Sequence, residues 1–115
     1  MGAIMSKEKR TYSKITREAL TLMGQQVKLA RKQKKMSEKE MAARAGIARS
    51  TLQKIEQGDP QVDIGFVFEV ATLAGMPLFD AQATSLAPHI ERMNDKLALM
   101  PTYIRSSKRE FNDDF

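Results

Sequence analysis

Residues 37–58, SEKEMAARAGIARSTLQKIEQG, constrain this chain more than any other stretch. Ser37-Glu38-Lys39-Glu40 has the form of a capping box. The Ser37 hydroxyl is expected to satisfy the Glu40 amide, and the Glu40 side chain to return to the Ser37 amide. A short helix then runs through Ala45, with Met41, Ala42 and Ala45 inward. Gly46 stands where that helix must stop and turn sharply, a position that favours positive φ. Ile47 turns back into the core, and a second short helix covers residues 48–57 with Leu52 and Ile55 inward. Gly58 and Pro60 end it. Small residues (Ala42, Ala45, Gly46) fall where the two helices must approach closely.

The flanks extend this into an all-α, five-helix reading. Before the pair, residues 13–35 place Leu20, Met23, Val27 and Ala30 on one stripe of a helix that ends before Met36. After it, Asp63 is expected to cap a fourth helix to Ala74 with Ile64, Val67, Phe68, Val70, Ala71 and Leu73 as its apolar residues. Gly75 and Pro77 end that helix. A fifth helix over about residues 85–99 tolerates Pro88 in its first turn. The expected organisation is a flexible basic arm over 1–12, one domain over 13–100, and a flexible tail over 101–115. At 115 residues and 42% hydrophobic, the chain can build one core, and a second independent one is not expected.

Charge is divided unevenly. Residues 1–35 carry ten Lys/Arg against Glu8 and Glu18, while the remainder carries nine against twelve carboxylates, for a net +5 overall. A basic front half suggests a polyanion partner on one side of the molecule. The outer face of residues 48–57 adds hydrogen-bonding side chains and positive charge, with no carboxylate before Glu56. A supporting helix, a glycine turn that fixes the crossing angle and a second helix with such a face suit insertion into a DNA major groove.

The same residues carry a resemblance. Met41-Ala42, the Ala45-Gly46-Ile47 turn, Arg49-Ser50-Thr51-Leu52 and Ile55-Glu56-Gln57-Gly58 together resemble the lambda-repressor-like, XRE-type helix-turn-helix proteins, over about residues 24–79. The resemblance implies a five-helix repressor fold and an internal, structural ion pair between Arg31 and Glu56. It puts base reading on Arg49, Ser50, Thr51, Gln53 and Lys54. Arg and Lys suit guanine O6/N7, Gln suits adenine, and the Thr methyl suits thymine. Phosphate contact is expected from Lys35, Lys39 and the amides at the Ser37-capped helix start. Position 38 is commonly Gln in relatives and contacts DNA there, whereas this chain has Glu38. A carboxylate near phosphate is unfavourable, yet it can accept from a cytosine amino group, so whether Glu38 touches DNA stays open. One short helix reads few base pairs, so a homodimer on a palindromic operator is expected, joined through the fourth and fifth helices.

The C-terminal part resembles a narrower group. Leu99-Met100-Pro101 with Ile104-Arg105, and the Asp113-Asp114-Phe115 ending, are similar to HipB-like antitoxins, which pair with HipA-like kinase toxins. That resemblance implies an antitoxin that represses its own operon, with Tyr103, Ile104, Phe111 and Phe115 as partner-binding anchors. The alternatives are a stand-alone XRE-type repressor and a protein-binding adaptor that uses the helical pair without DNA.

Other chemistry finds little footing. There is no cysteine, which removes disulfide scaffolds, zinc fingers and thiol nucleophiles together. His89 has no metal-ligand company in Glu91, Arg92 and Asp95 and reads as a surface residue. Met23, Met41, Met93 and Met100 fall on apolar stripes and read as gap-filling core. No nucleophile elbow, phosphate-binding glycine loop or paired-carboxylate site is present, so catalytic and metal residues, and a cofactor, are expected to be none. No apolar run approaches the roughly 18 residues of a membrane span, and Met1 to Met5 is short for a signal peptide. A cytoplasmic protein without membrane attachment is the expectation.

Overall fold

The computed structural model describes residues 10–103, and these are all-α, with five helices and no strand. In chain order they are α1 (Lys14–Gln33), α2 (Glu38–Ala45), α3 (Arg49–Gln57), α4 (Ile64–Leu73) and α5 (Ala87–Ala98). The chain divides into two compact units between Ala81 and Gln82.

In the first unit each helix stops for a local reason. Ser13 caps α1, its Oγ accepting from the Thr16 amide. At the other end the Lys35 amide donates to the Lys32 carbonyl at 2.9 Å, and the Met36 amide to the Arg31 carbonyl at 3.1 Å. This is the double hydrogen bond of a Schellman stop, with Met36 buried behind it. Its left-handed position is filled by Lys35 at φ 59°. Ser37 caps α2 as expected, its Oγ accepting from the Glu40 amide at 3.0 Å. The other half of the box is absent. The Glu40 carboxylate instead accepts from Arg44 Nη2 at 3.2 Å, one helical turn on. Gly46 (φ 72°) and Gly58 (φ 81°) end α2 and α3 in the left-handed region. Asp63 precedes α4 but makes no side-chain capping bond, contrary to expectation.

The core of this unit gathers Val27 of α1, Met36, Met41 and Ala42 of α2, Leu52 and Ile55 of α3, and Val70 and Ala74 around α4. Met23, Ala30, Ala45, Ile47, Val62, Val67, Leu73 and Met76 pack against it. Helix α1 packs on α3, and α2 lies against both α3 and α4. Val70 and Ala71 are the buried residues of α4, while Ile64, Phe66 and Phe68 are exposed. The Phe68 ring meets Phe79 edge to face, with centroids 6.3 Å apart.

The second unit holds α5. Pro88 lies in its first turn, where the missing amide costs no helical bond. Ile90, Met93 and Leu97 are exposed at helical spacing. Met93 and Met100, expected as core, are both exposed, because the elements of this unit leave their stripe uncovered. His89 is half-buried, with its Nδ1 2.9 Å from Arg92 Nη2. Among the described residues no helix is long and apolar enough to cross a membrane.

Candidate nucleic-acid interface

A buried ion pair fixes α3 against α1. Arg31, in the last turn of α1, donates from Nε to Glu56 Oε2 at 2.7 Å and from Nη2 to Glu56 Oε1 at 3.1 Å. Its Nη1 donates to the Met36 carbonyl at 2.8 Å. One guanidinium therefore ties α1, the α1–α2 turn and the end of α3 together. The fork matches a carboxylate edge to edge, a geometry that a lysine cannot reproduce. Both side chains are almost fully buried. The bonds to Glu56 push the Arg31 guanidinium even higher than usual, so it stays charged. The ion pair inferred from resemblance is present, and each of the three guanidinium nitrogens donates to a partner.

Close contact between α1 and α3 depends on glycine at a position where the sequence did not draw attention. A Cβ built on Gly24 would lie 2.6 Å from the carbonyl oxygens of both Ile55 and Glu56. By contrast, a Cβ on Gly46 would meet nothing within 4 Å, so Gly46 serves the turn's φ and not a close approach.

On this frame α3 presents its outer side. Arg49, Ser50 and Lys54 are exposed, and Thr51 and Gln53 are half-buried. Lys35, Ser37 and Lys39 are exposed around the start of α2. Lys35 is the non-glycine residue at the left-handed stop of α1, a conformation costing about 1 kcal/mol or more for an L side chain. Glu38 is drawn into the same surface. Its Oε1 accepts from Arg49 Nε and from Gln53 Nε2, each at 3.0 Å. Sequence reasoning left Glu38 open, and its bonds to Arg49 and Gln53 had no local signal at separations of 11 and 15 residues.

Those two bonds, from the Gln53 amide first and the Arg49 guanidinium second, hold the Glu38 carboxyl below its ordinary range. A depressed carboxyl pKa favours the folded arrangement above the ordinary carboxylate range. That contribution is lost as pH falls through the depressed value, so Glu38 stays ionised at neutral pH.

The geometry of α2, its glycine stop and α3 has a match among known families. Residues 27–80 match the helix-turn-helix family model. Over this segment the chain is similar to helix-turn-helix domains. The matched residues take in the end of α1 from Val27 onward and run past α4 to Asp80, so Gly24 and α5 lie outside them. The uncharacterized HTH-type transcriptional regulator y4dL of Sinorhizobium fredii is 29% identical over 86 residues, covering 75% of this chain and 43% of the relative. The chain thus spans less than half the length of that relative. No solved structure matches the chain.

The remaining expected residues are less informative. Tyr103 is exposed, whereas Ile104, Phe111 and Phe115 lie outside the described residues, as do residues 1–9 of the basic arm. At the described end of that arm, Arg17 Nη1 donates to the Tyr12 carbonyl at 2.6 Å, and Arg10 lies over the Tyr12 ring. Among the described residues no cluster of His, Cys, Asp or Glu is arranged to hold a metal ion.

Proposed function

We propose that this protein is a sequence-specific DNA-binding transcriptional repressor that reads a palindromic operator as a two-fold homodimer. The observation that carries the reading is the outer side of α3. Arg49, Ser50, Thr51, Gln53 and Lys54 lie there, and the helix's one carboxylate, Glu56, is turned inward and neutralised by Arg31. That leaves a surface of donors and positive charge on a helix braced from behind, the requirement for direct readout of base edges. The S. fredii relative is itself named a transcriptional regulator, which agrees with this reading. For the dimer, support comes from apolar side chains left exposed on α4 (Ile64, Phe66, Phe68) and, in the second unit, on α5 (Ile90, Met93, Leu97). Recognition helices of such a dimer would meet half-sites about 34 Å apart. Selection of bound sequences from a randomised duplex library, with sedimentation of the free protein and its complex, tests this directly. A preferred palindrome bound by two copies supports it, and a monomer both free and on DNA excludes the dimer.

Side-chain roles separate by their signatures. Arg49→Ala or Lys54→Ala should lose about 1–3 kcal/mol of discrimination at one or two base pairs. Lys39→Ala should weaken binding to every sequence alike and flatten the salt dependence by about one unit, the loss of one phosphate contact. Affinity measured across mismatched operators and a salt series distinguishes them. Uniform loss in all three variants would place the reading surface elsewhere.

A finer part of the proposal concerns a protein partner. The Leu99-Met100-Pro101 element with Ile104-Arg105 and the Asp113-Asp114-Phe115 ending resemble HipB-like antitoxins. On that basis the repressor binds a HipA-like kinase toxin and restrains it, with Tyr103, Ile104, Phe111 and Phe115 as anchors. Deleting residues 102–115 is expected to leave operator affinity unchanged and to weaken capture of such a kinase. Loss of operator affinity with full kinase affinity would reverse these roles. Recovery of no kinase from the native cells would favour a stand-alone repressor.

A further inference from the structure

The bonds around Glu38 set more than its charge. Glu38 opens α2, Arg49 opens α3, and Gln53 lies one turn further along α3 on the same face. A single carboxylate oxygen receives both α3 side chains at 3.0 Å. An ionised carboxylate can only accept, so the Gln53 amide must turn its nitrogen to Glu38 and its carbonyl oxygen away. Arg49 spends only its Nε edge on the bond, which leaves both terminal nitrogens of the guanidinium as donors. Its side chain is 63% exposed while that of Glu38 is 27% exposed, so the clamp is partly sheltered while Arg49 stays open to solvent.

We propose that Glu38 is a specificity-determining positioning residue that sets Arg49 and Gln53 as one reading unit. Arg49 then offers its two terminal nitrogens to the O6/N7 edge of a guanine. Gln53 offers its outward carbonyl, with its second amide hydrogen, to the N6/N7 edge of an adenine in the same half-site. The inference rests on the reading that α3 enters the major groove. It departs from treating Glu38 as a direct base contact or as a charge that merely repels phosphate. Holding the side chains before DNA arrives lowers the ordering cost of binding the right sequence and leaves the wrong ones with misplaced donors.

Two substitutions separate geometry from charge. Glu38→Asp keeps the negative charge but is one methylene shorter, so it withdraws the shared acceptor from both partners. Glu38→Gln removes the charge and allows the Gln53 amide to face it either way round. The experiment is affinity of the full-length protein and both variants for the library-selected operator and its single-base variants, with a denaturation curve for each protein. Glu38→Asp should lose about tenfold in preference at the two base pairs read by Arg49 and Gln53 together, without a general gain in affinity. Glu38→Gln should lose preference chiefly at the adenine position while binding all sequences more tightly. If both folded variants keep the wild-type preference, and Glu38→Gln only raises affinity uniformly, Glu38 is a repulsive charge and the clamp is overturned. A wild-type protein with no sequence preference would overturn the groove reading itself, an outcome distinct from failure of the clamp.

Discussion

Glu56→Ala is expected to cost about 3–5 kcal/mol of folding stability, the usual penalty for breaking a buried ion pair by removing one partner. Against a total of roughly 5–15 kcal/mol for a small domain, that is enough to leave the variant partly unfolded at ambient temperature. The reason lies in what remains behind. Arg31 is 5% exposed and would keep a single partner, the Met36 carbonyl, for a charge that it cannot shed. Most groups in that position lose their proton and become neutral, but a guanidinium does not. The double change Arg31→Met with Glu56→Leu removes both charges and fills the space with apolar atoms. It should recover most of the loss. Recovery should stop short by about 1 kcal/mol, because the Met36 carbonyl loses its donor. Urea denaturation of the three proteins measures this ordering. A Glu56→Ala midpoint equal to wild type would mean that the pair is not buried and that α1 and α3 are joined in some other way.

The residues most legible in the sequence were those whose effect is local. Ser37, Gly46 and Gly58 mark helix ends because a hydroxyl at an N-cap and a glycine at a left-handed stop solve backbone problems within four residues. The amphipathic stripe of Leu20, Met23, Val27 and Ala30 was legible for the same reason, since helical period needs no partner to be seen. Arg31 and Glu56 are 25 residues apart, and resemblance alone linked them. Side chains with several possible partners were not legible. Glu40 had an amide and a guanidinium within reach, and the charged donor of Arg44 took it. For Glu38 the sequence leaves a DNA contact open, because only the folded crossing of α2 and α3 brings Arg49 and Gln53 to it. Lys35 offered no sign of its left-handed backbone, since glycine or asparagine is the residue that normally announces one. Ile64 and Phe68 carry apolar character without saying which face of α4 is covered.

Gly24→Ala is expected to destabilise the domain by about 3 kcal/mol, even though alanine is the better helix former by about 1 kcal/mol. The opposing contact decides the sign. The added methyl would meet the carbonyl oxygens of Ile55 and Glu56 at 2.6 Å and the Glu56 carbonyl carbon at 2.8 Å, all of them backbone. A flexible side chain could swing aside, but two carbonyls fixed in a helix cannot, so α1 must move away from α3. Two further contacts resist that movement. Gly58 also lies close against α1, with a built Cβ 2.9 Å from the Leu20 carbonyl oxygen. Arg31, two turns beyond Gly24 on the same face, would be drawn off Glu56, where its 2.7 Å bond leaves no slack. The melting temperature should therefore fall by roughly 12–24 °C for a domain of this size. Gly46→Ala provides the control. Its methyl meets no atom within 4 Å, and its cost is limited to the left-handed backbone, about 1–2 kcal/mol. If Gly46→Ala proved the more damaging of the two, the turn would be the sensitive element and α1 would not be crossing α3 at Gly24. With the expected order, the helix that carries Arg49 and Gln53 is held in place by a buried glycine of α1.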